Sequence, residues 1–149
     1  MQTIPTFREL KPDQCDALLS HNQVGRIAFT FHDRVGIEPI GYAYEPNRIY
    51  LRTAPGTKLA TIAHHPWVAF EVDVIEGPFD WRSVIVRGTM HILHPDGATA
   101  DQRSYERALA LLRRMVPGTL GEEDPVPFRT VIMMLSIDEM TGRAASTRG

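Results

Sequence analysis

The chain has 149 residues, of which 43% are hydrophobic and 23% are charged. This balance is typical of a globular protein and argues against disorder, and the length fits a single domain over residues 1–149. The formal net charge of −2 comes from 16 basic and 18 acidic residues that are interspersed along the chain, which argues against a general nucleic-acid-binding surface.

The sequence offers little support for a disulfide, a metal site or a membrane segment. Cys15 is the single cysteine, so an internal disulfide is excluded. The adjacent His64 and His65 point in different directions and have no partners at ligand spacing, so no metal site is expected. The N-terminus lacks the features of a signal peptide, and no apolar run reaches the roughly 20 residues of a membrane span. We therefore expect a cytoplasmic protein that does not bind a membrane.

The first half of the chain contains one predicted helix, three predicted strands and a second, shorter helix. The helix is predicted over residues 8–21. The strands are rich in β-branched and aromatic residues and are bounded by turn residues. They cover residues 24–31, 35–44 and 48–53, and Pro39 within the second predicts an edge or a bulge. The short helix begins near Thr57 and ends before Pro66.

The second half contains three more predicted strands and a longer helix. Residues 67–75 alternate between apolar and polar side chains, residues 81–93 form a long strand, and residues 128–137 form the last one, followed by a polar tail over residues 138–149. We expect Trp67 to lie in the core. The helix runs from about Thr99 to Met115, with Gln102 placed to complete a capping box.

These elements predict a mainly β fold with a few helices. Most of the connections between successive strands are too short for a parallel crossover, so the sheet is expected to be antiparallel. Closing such a sheet into a barrel removes its exposed edges. The pattern therefore predicts a six-stranded antiparallel barrel with short flanking helices.

The segment from residue 49 to residue 63 is the most informative part of the chain. It reads as a strand, a glycine-containing turn and a helix that opens on Thr57 and Lys58. A helix N-terminus presents unpaired N–H groups and a partial positive charge, which suit a phosphate. Gly56 would admit close approach, and Arg52 could add a bidentate fork. The segment alone leaves open a second interpretation, in which Thr57 only caps the helix and Lys58 is a solvated charge.

Four motifs resemble one known family in their order and spacing. They are residues 39–44, residues 49–53 with Gly56–Thr57–Lys58, residues 65–73 and residues 81–88. The chain is similar to the pyridoxamine 5′-phosphate oxidase-like, FMN-binding split-barrel family. It is especially similar to the short members related to nitroimidazole-resistance proteins.

The resemblance implies a split β-barrel that binds FMN and works as a homodimer with the cofactor at the subunit interface. Arg52, Thr57 and Lys58 would hold the phosphate, Thr53 and Ala54 would lie along the flavin, and the backbone near residues 39–41 would approach the ring. The segment from Trp81 to Val84 would come from the second subunit. The implied cofactor-binding residues are Pro39, Ile40, Gly41, Arg52, Thr53, Ala54, Thr57, Lys58, Trp81, Ser83 and Val84.

The function implied is that of an FMN-dependent oxidoreductase or flavin reductase acting on a small electron-poor or heteroaromatic molecule. Oxidation of pyridoxamine phosphate itself is disfavoured, because the C-terminal tail lacks the basic pattern that the resemblance would call for. No catalytic acid or base is evident from the spacing. The alternatives are a deazaflavin-dependent reductase and a non-catalytic protein that binds flavin or haem.

Overall fold

The computed structural model of the chain describes residues 4–147, which form eight strands and three helices. Residues 1–3 of the N-terminal segment, and residues 148 and 149 of the predicted polar tail, lie outside the described residues. The strands are β1 (Thr6–Glu9), β2 (Val24–Phe31), β3 (Arg34–Gly41), β4 (Ala43–Glu45), β5 (Arg48–Thr53), β6 (Trp67–Gly77), β7 (Asp80–Leu93) and β8 (Val131–Ser146).

The helices are α1 (Pro12–Ser20), α2 (Thr57–His64) and α3 (Thr99–Met115). α1 starts on a proline, which is favoured at the first helical position because its missing N–H would have no helical acceptor there. No helix in the described part of the chain combines the length and the apolar character that crossing a membrane requires.

The strands form one antiparallel sheet in the order β3-β2-β6-β7-β8-β5-β4, with β1 added to β8. β3 and β4 lie at opposite ends of this order, yet only Tyr42 separates them in the chain. The two edges must therefore come together, so the sheet rolls into a barrel that is closed at this point by the peptide chain. Within residues 4–147 no strand ladder joins β3 to β4 or β5. This is the split barrel that was predicted.

The barrel interior is filled by the inward-facing residues of the strands. Ile27, Ile49 and Val72 are completely buried there. Tyr42 packs edge-to-face on Phe70, with 5.0 Å between the ring centroids. A second apolar cluster forms outside the barrel, where α3 covers β5 and β8; it contains Tyr50, Leu93, Ala108, Leu111, Leu112 and Ile132.

The strand count differs from the six predicted. β1 is a short strand of four exposed residues, so no apolar alternation marked it. It also shortens the first helix, which begins at Pro12 rather than at residue 8. The predicted strand over residues 35–44 is interrupted at Tyr42, and the last strand starts at Val131 and continues through most of the predicted tail.

Two local predictions are also wrong. Trp67 lies on the outside of the barrel and is 56% exposed, because it occupies an outward-facing position of β6. The capping box at Thr99 does not form: Ala98 is the N-cap residue, and the Gln102 side-chain amide donates to the carbonyl of Gly97 at 2.8 Å.

Candidate functional site

The N-terminus of α2 presents unpaired donors at the surface. β5 ends at Thr53, residues 54–56 turn the chain, and α2 begins at Thr57 with Gly56 as its N-cap residue. No side chain caps this end, so the first N–H groups of the helix are open to an acceptor. The helix dipole adds a partial positive charge at the same place, and the exposed Thr57 can donate a hydroxyl.

Gly56 leaves the backbone open at this turn. No atom lies within 4 Å of the position that a Cβ would take at Gly56. The packing of the chain itself therefore does not require a glycine here. The backbone conformation does favour one, because Gly56 has a φ of 159° and a ψ of −167°, which residues with a side chain rarely adopt.

Lys58 links α2 to the edge strand β3. Its ammonium group forms an ion pair with the Glu38 carboxylate, and both side chains are partly exposed. Glu38 precedes Pro39, so the helix N-terminus lies beside the start of the predicted segment Pro39–Gly41. Pro39 is exposed, whereas Ile40 is buried at 8% exposure and Gly41 is half-buried. The structure therefore brings together Lys58 and this segment, which were expected to lie at one site.

The prediction that Arg52 binds phosphate together with Lys58 is wrong, because the guanidinium group of Arg52 is engaged elsewhere. The side chain is only 7% exposed and contacts Asp124 through two nitrogens, at 3.2 and 2.5 Å. It also donates to the carbonyls of Val126 and Arg129, each at 3.0 Å. These contacts occupy the planar fork, which was expected to hold a phosphate. Arg52 is therefore not free to bind a phosphate beside Lys58.

Thr53 and Ala54 lie at the end of β5, directly before the turn into α2. Thr53 is buried, with 5% exposure, and pairs with Val131 of β8. Ala54 is half-buried. Both remain close in sequence to the helix N-terminus, and Ala54 is the more accessible of the two.

The three predicted residues of β7 do not share one environment. Trp81 is half-buried and its indole N–H donates to the carbonyl of Pro78 at 3.2 Å. Ser83 lies on the outer face and its hydroxyl donates to Glu71 at 3.3 Å. The prediction that Val84 contacts the cofactor needs correction. Its side chain is completely buried in the barrel and cannot reach a cofactor held by a second subunit.

A cluster of three charged side chains lies on the same outer face as Ser83. The sequence did not predict it as a site. Arg26 of β2 contacts Glu71 and Asp73 of β6, each at 3.0 Å. Partial burial and the neighbouring Asp73 carboxylate raise the pKa of Glu71, and Arg26 opposes that rise. One guanidinium therefore faces two carboxylates, and the group carries a net negative charge when both carboxylates are ionised.

Comparison with known proteins identifies the family. Residues 11–144 match the family model described as pyridoxamine 5′-phosphate oxidase. The chain belongs to this family. Solved structures that are similar to this chain include two proteins described as FAD-binding.

Three relatives of this pyridoxamine 5′-phosphate oxidase family member span nearly its whole length. An uncharacterized protein of Rhizobium meliloti (strain 1021) is 28% identical over 148 residues, covering 93% of this chain and 95% of its own. The crystal structure of a FAD-binding protein from Mesorhizobium loti is 26% identical, with a TM-score of 0.74 and coverage of 94% and 98%. A FAD-binding protein of Mycobacterium smegmatis is 27% identical, with a TM-score of 0.65 and coverage of 92% and 99%.

Proposed function

We propose that the chain binds the FMN group of a flavin, with its phosphate at the N-terminus of α2, and acts as an oxidoreductase on a small electron-poor or heteroaromatic molecule. The observation that carries this proposal is the uncapped helix N-terminus with Lys58 beside it and β3 directly adjacent. The donors are the first N–H groups of α2, the Thr57 hydroxyl and the Lys58 ammonium, which together suit a dianionic phosphate. The family match and the two FAD-binding relatives support a flavin as the ligand.

The flavin would supply the redox chemistry, and the chain would bind and orient it. Lys58 would exchange its Glu38 partner for the phosphate or share its charge between the two. The half-buried Ala54 and the exposed Pro39 offer small, apolar contacts along a planar ring. Small electron-poor molecules are the proposed acceptors because a flavin passes electrons to such groups without an acid–base pair from the protein.

We also propose that the active form is a homodimer that pairs through the outer face of β2, β3 and β6. Val35, Ile37 and Trp67 are 76%, 68% and 56% exposed on this face, and exposed apolar patches of this kind mark interaction surfaces. Arg26 is paired with Glu71 and Asp73 there, so covering the face does not leave the guanidinium without a partner.

The proposed anion site is tested by replacing Lys58. Loss of a charged donor to phosphate costs about 1.5–3 kcal/mol, so Lys58→Ala should weaken FMN binding by about 10- to 100-fold. FMN fluorescence quenching measures the affinity. Lys11→Ala is the matched control, since Lys11 is the other lysine of the chain and lies at α1. Equal FMN affinity in the wild type and Lys58→Ala would contradict the site.

The absorption spectrum of the purified protein separates the proposed function from its alternatives. Flavin bands, together with turnover of an electron-poor acceptor, support the proposal. A colourless protein that quenches the fluorescence of an added deazaflavin, but not that of FMN, identifies the deazaflavin-dependent alternative. A bound chromophore with no turnover of any reduced nicotinamide and acceptor identifies the non-catalytic alternative.

A further inference from the structure

A cavity lies beside the turn that joins β6 to β7, where β1, β8, β7 and β6 are neighbours in the sheet. Arg8 of β1 pairs with Ala144 of β8, and Ala144 pairs on its other side with Arg82 of β7. The two arginines therefore stand on one face, on either side of a buried alanine, with two strand spacings or about 10 Å between their Cα atoms. The small methyl group of Ala144 leaves space between them, and the cavity has a volume of about 240 Å³.

Two carboxylates line the same cavity. Glu76 and Asp80 flank the turn, and both contribute to the lining. The register of β6 and β7 shifts at Glu76, which has no partner in the ladder, and a bulge of this kind re-aims the side chain of the extra residue. Together with Arg8 and Arg82, the lining carries two positive and two negative charges, so its net charge is zero.

These four charges do not pair with one another. Within residues 4–147, no ion pair joins either arginine to either carboxylate, and the guanidinium of Arg8 donates only to the neutral side chain of Gln14, at 3.4 Å. Exposure alone does not explain this, because Arg26 and Arg107, each with a side chain that is 50% exposed, pair with carboxylates at 3.0 and 2.9 Å. The charges at the cavity surround its space and are available to a ligand.

An aromatic cluster holds the walls of the cavity together. The ring of Phe7 on β1 lies 6.4 Å from the ring of Trp81 on β7 and 6.4 Å from that of Phe79 in the turn. The indole N–H of Trp81 donates to the carbonyl of Pro78, which ties the ring to the turn. Trp81 is also part of the lining and, with Val74, offers an apolar surface to a bound molecule.

We propose that this cavity binds a small zwitterion of the α-amino-acid class. Its carboxylate binds between the guanidinium groups of Arg8 and Arg82, whose planar forks suit that group. Its ammonium group binds at Glu76 and Asp80, and its side chain lies against Trp81.

The charge and the size of the cavity select this class of ligand. A plain anion would be repelled by the two carboxylates and a plain cation by the two arginines, whereas a zwitterion satisfies both pairs. The volume of about 240 Å³ is below the roughly 300 Å³ at which sites for drug-sized ligands begin, so the ligand is small. The lining residues lie on elements other than α2 and β3, so such a ligand binds independently of the flavin.

Isothermal titration calorimetry with three molecules of similar shape tests the charge requirement. L-leucine carries both charges, 4-methylpentanoate carries only the carboxylate, and 3-methylbutylamine carries only the ammonium group. We expect L-leucine to bind at least about tenfold more tightly than either analogue, since each analogue lacks one set of charged contacts. Equal affinity for L-leucine and 4-methylpentanoate would overturn the proposal in favour of a plain anion site. The absence of binding of both glycine and L-leucine would overturn it outright.

Substitutions test whether the binding takes place at this cavity. Arg82→Gln and Asp80→Asn each remove one charge, and each should weaken L-leucine binding by about tenfold or more. Arg103→Gln is the matched control and should bind as the wild type does, because Arg103 is an exposed arginine of α3 outside the lining. Arg8→Gln should weaken L-leucine binding and leave FMN affinity within about twofold, because distant sites act independently. Unchanged L-leucine affinity in both arginine variants of the cavity, or a parallel loss of FMN affinity in Arg8→Gln, would overturn the assignment.

Discussion

The guanidinium group of Arg52 holds together two segments that are far apart in the chain. It joins β5 to residues 124–129 through Asp124 and two backbone carbonyls. Asp124 also accepts from the N–H groups of Leu120 and Val126, so its carboxylate organises the loop around it. Its side chain is only 1% exposed. Such a pair is sensitive to the loss of either partner, because the other charge is then buried without compensation.

The Asp124 contacts predict a stability that depends on pH. The hydrogen bonds from Arg52 and the backbone hold the pKa of Asp124 well below its ordinary value near 3.9. A depressed carboxyl pKa stabilises the fold at pH values above the unfolded pKa, and this contribution is lost as the pH falls below about 4. Asp124→Asn should therefore lower Tm at pH 7, and the difference from the wild type should shrink between about pH 4 and pH 2.

Thermal denaturation followed by circular dichroism at pH 7, 5, 4 and 2.5 measures this difference. Glu123→Gln is the control, because Glu123 is an exposed neighbour in the same loop and should change Tm little at any pH. A difference between wild type and Asp124→Asn that stays constant with pH would contradict the assignment.

The sequence did not reveal the role of Arg52, for a physical reason. A strand position next to a glycine turn suggests a ligand-facing side chain, but alternation along β5 places Arg52 on the face opposite Leu51. Its partner lies 72 positions away, in a loop without periodic pattern. Lys58 was easier to place, because the helix that begins at Thr57 fixes its position relative to the turn.

At the scale of secondary-structure elements, the pairing of β7 with β8 shapes the largest part of the sheet. The register shifts between Arg87 and Gly88, which bends the two strands. A Cβ on Gly88 would lie 2.0 Å from the backbone oxygen of Ser136. The backbone of β8 cannot move away without breaking neighbouring pairs, so this position accepts only glycine.

Gly88→Ala should therefore destabilise the protein by about 1–3 kcal/mol or more, as overpacking does in other cores. Urea denaturation measures the change as a lower midpoint. Gly77→Ala is a matched control, because Gly77 also lies at a register shift, in β6, and no atom lies within 4 Å of its Cβ position. Equal midpoints for the two variants would show that β8 relaxes more easily than the pairing suggests.

Element prediction succeeded where side-chain periodicity was strong and failed where pairing alone forms the strand. Residues 67–75 alternate between apolar and polar side chains and were recognised as a strand. The second half of β8 carries Asp138, Glu139 and Arg143, which face outward and resemble a polar tail. It is a strand because β7 and β1 lie on its two sides, and that information comes from distant residues.

At the scale of the whole molecule, part of the outer face of the barrel exposes apolar side chains to water. α3 covers one part of the barrel wall, but Val35, Ile37 and Trp67 are exposed on the part formed by β2, β3 and β6. The site at α2 and this face both involve β3, so a second copy seated on the face would lie close to the proposed flavin. The family resemblance predicted both features, whereas the strand pattern alone predicted only the barrel.

The proposed dimer is tested by placing a charge in the middle of this face. Ile37→Lys should convert the protein to a monomer, because burying an unpaired ammonium opposes association. Sedimentation equilibrium measures the mass, and flavin affinity should fall together with dimerisation. Phe128→Lys is the control, since Phe128 is 60% exposed but lies in the loop before β8. A wild-type protein that sediments as a monomer would contradict the proposal.

The junction between β3 and β4 determines where the barrel wall can yield. Elsewhere, moving two neighbouring strands apart requires the loss of several main-chain hydrogen bonds at once. At this junction the two edges are connected through Tyr42, and the ion pair between Lys58 and Glu38 links β3 to the helix α2. An anion that replaces Glu38 at the Lys58 ammonium group would release β3 from α2. Such an exchange would break no strand ladder, so the main-chain pairing of the barrel would stay intact.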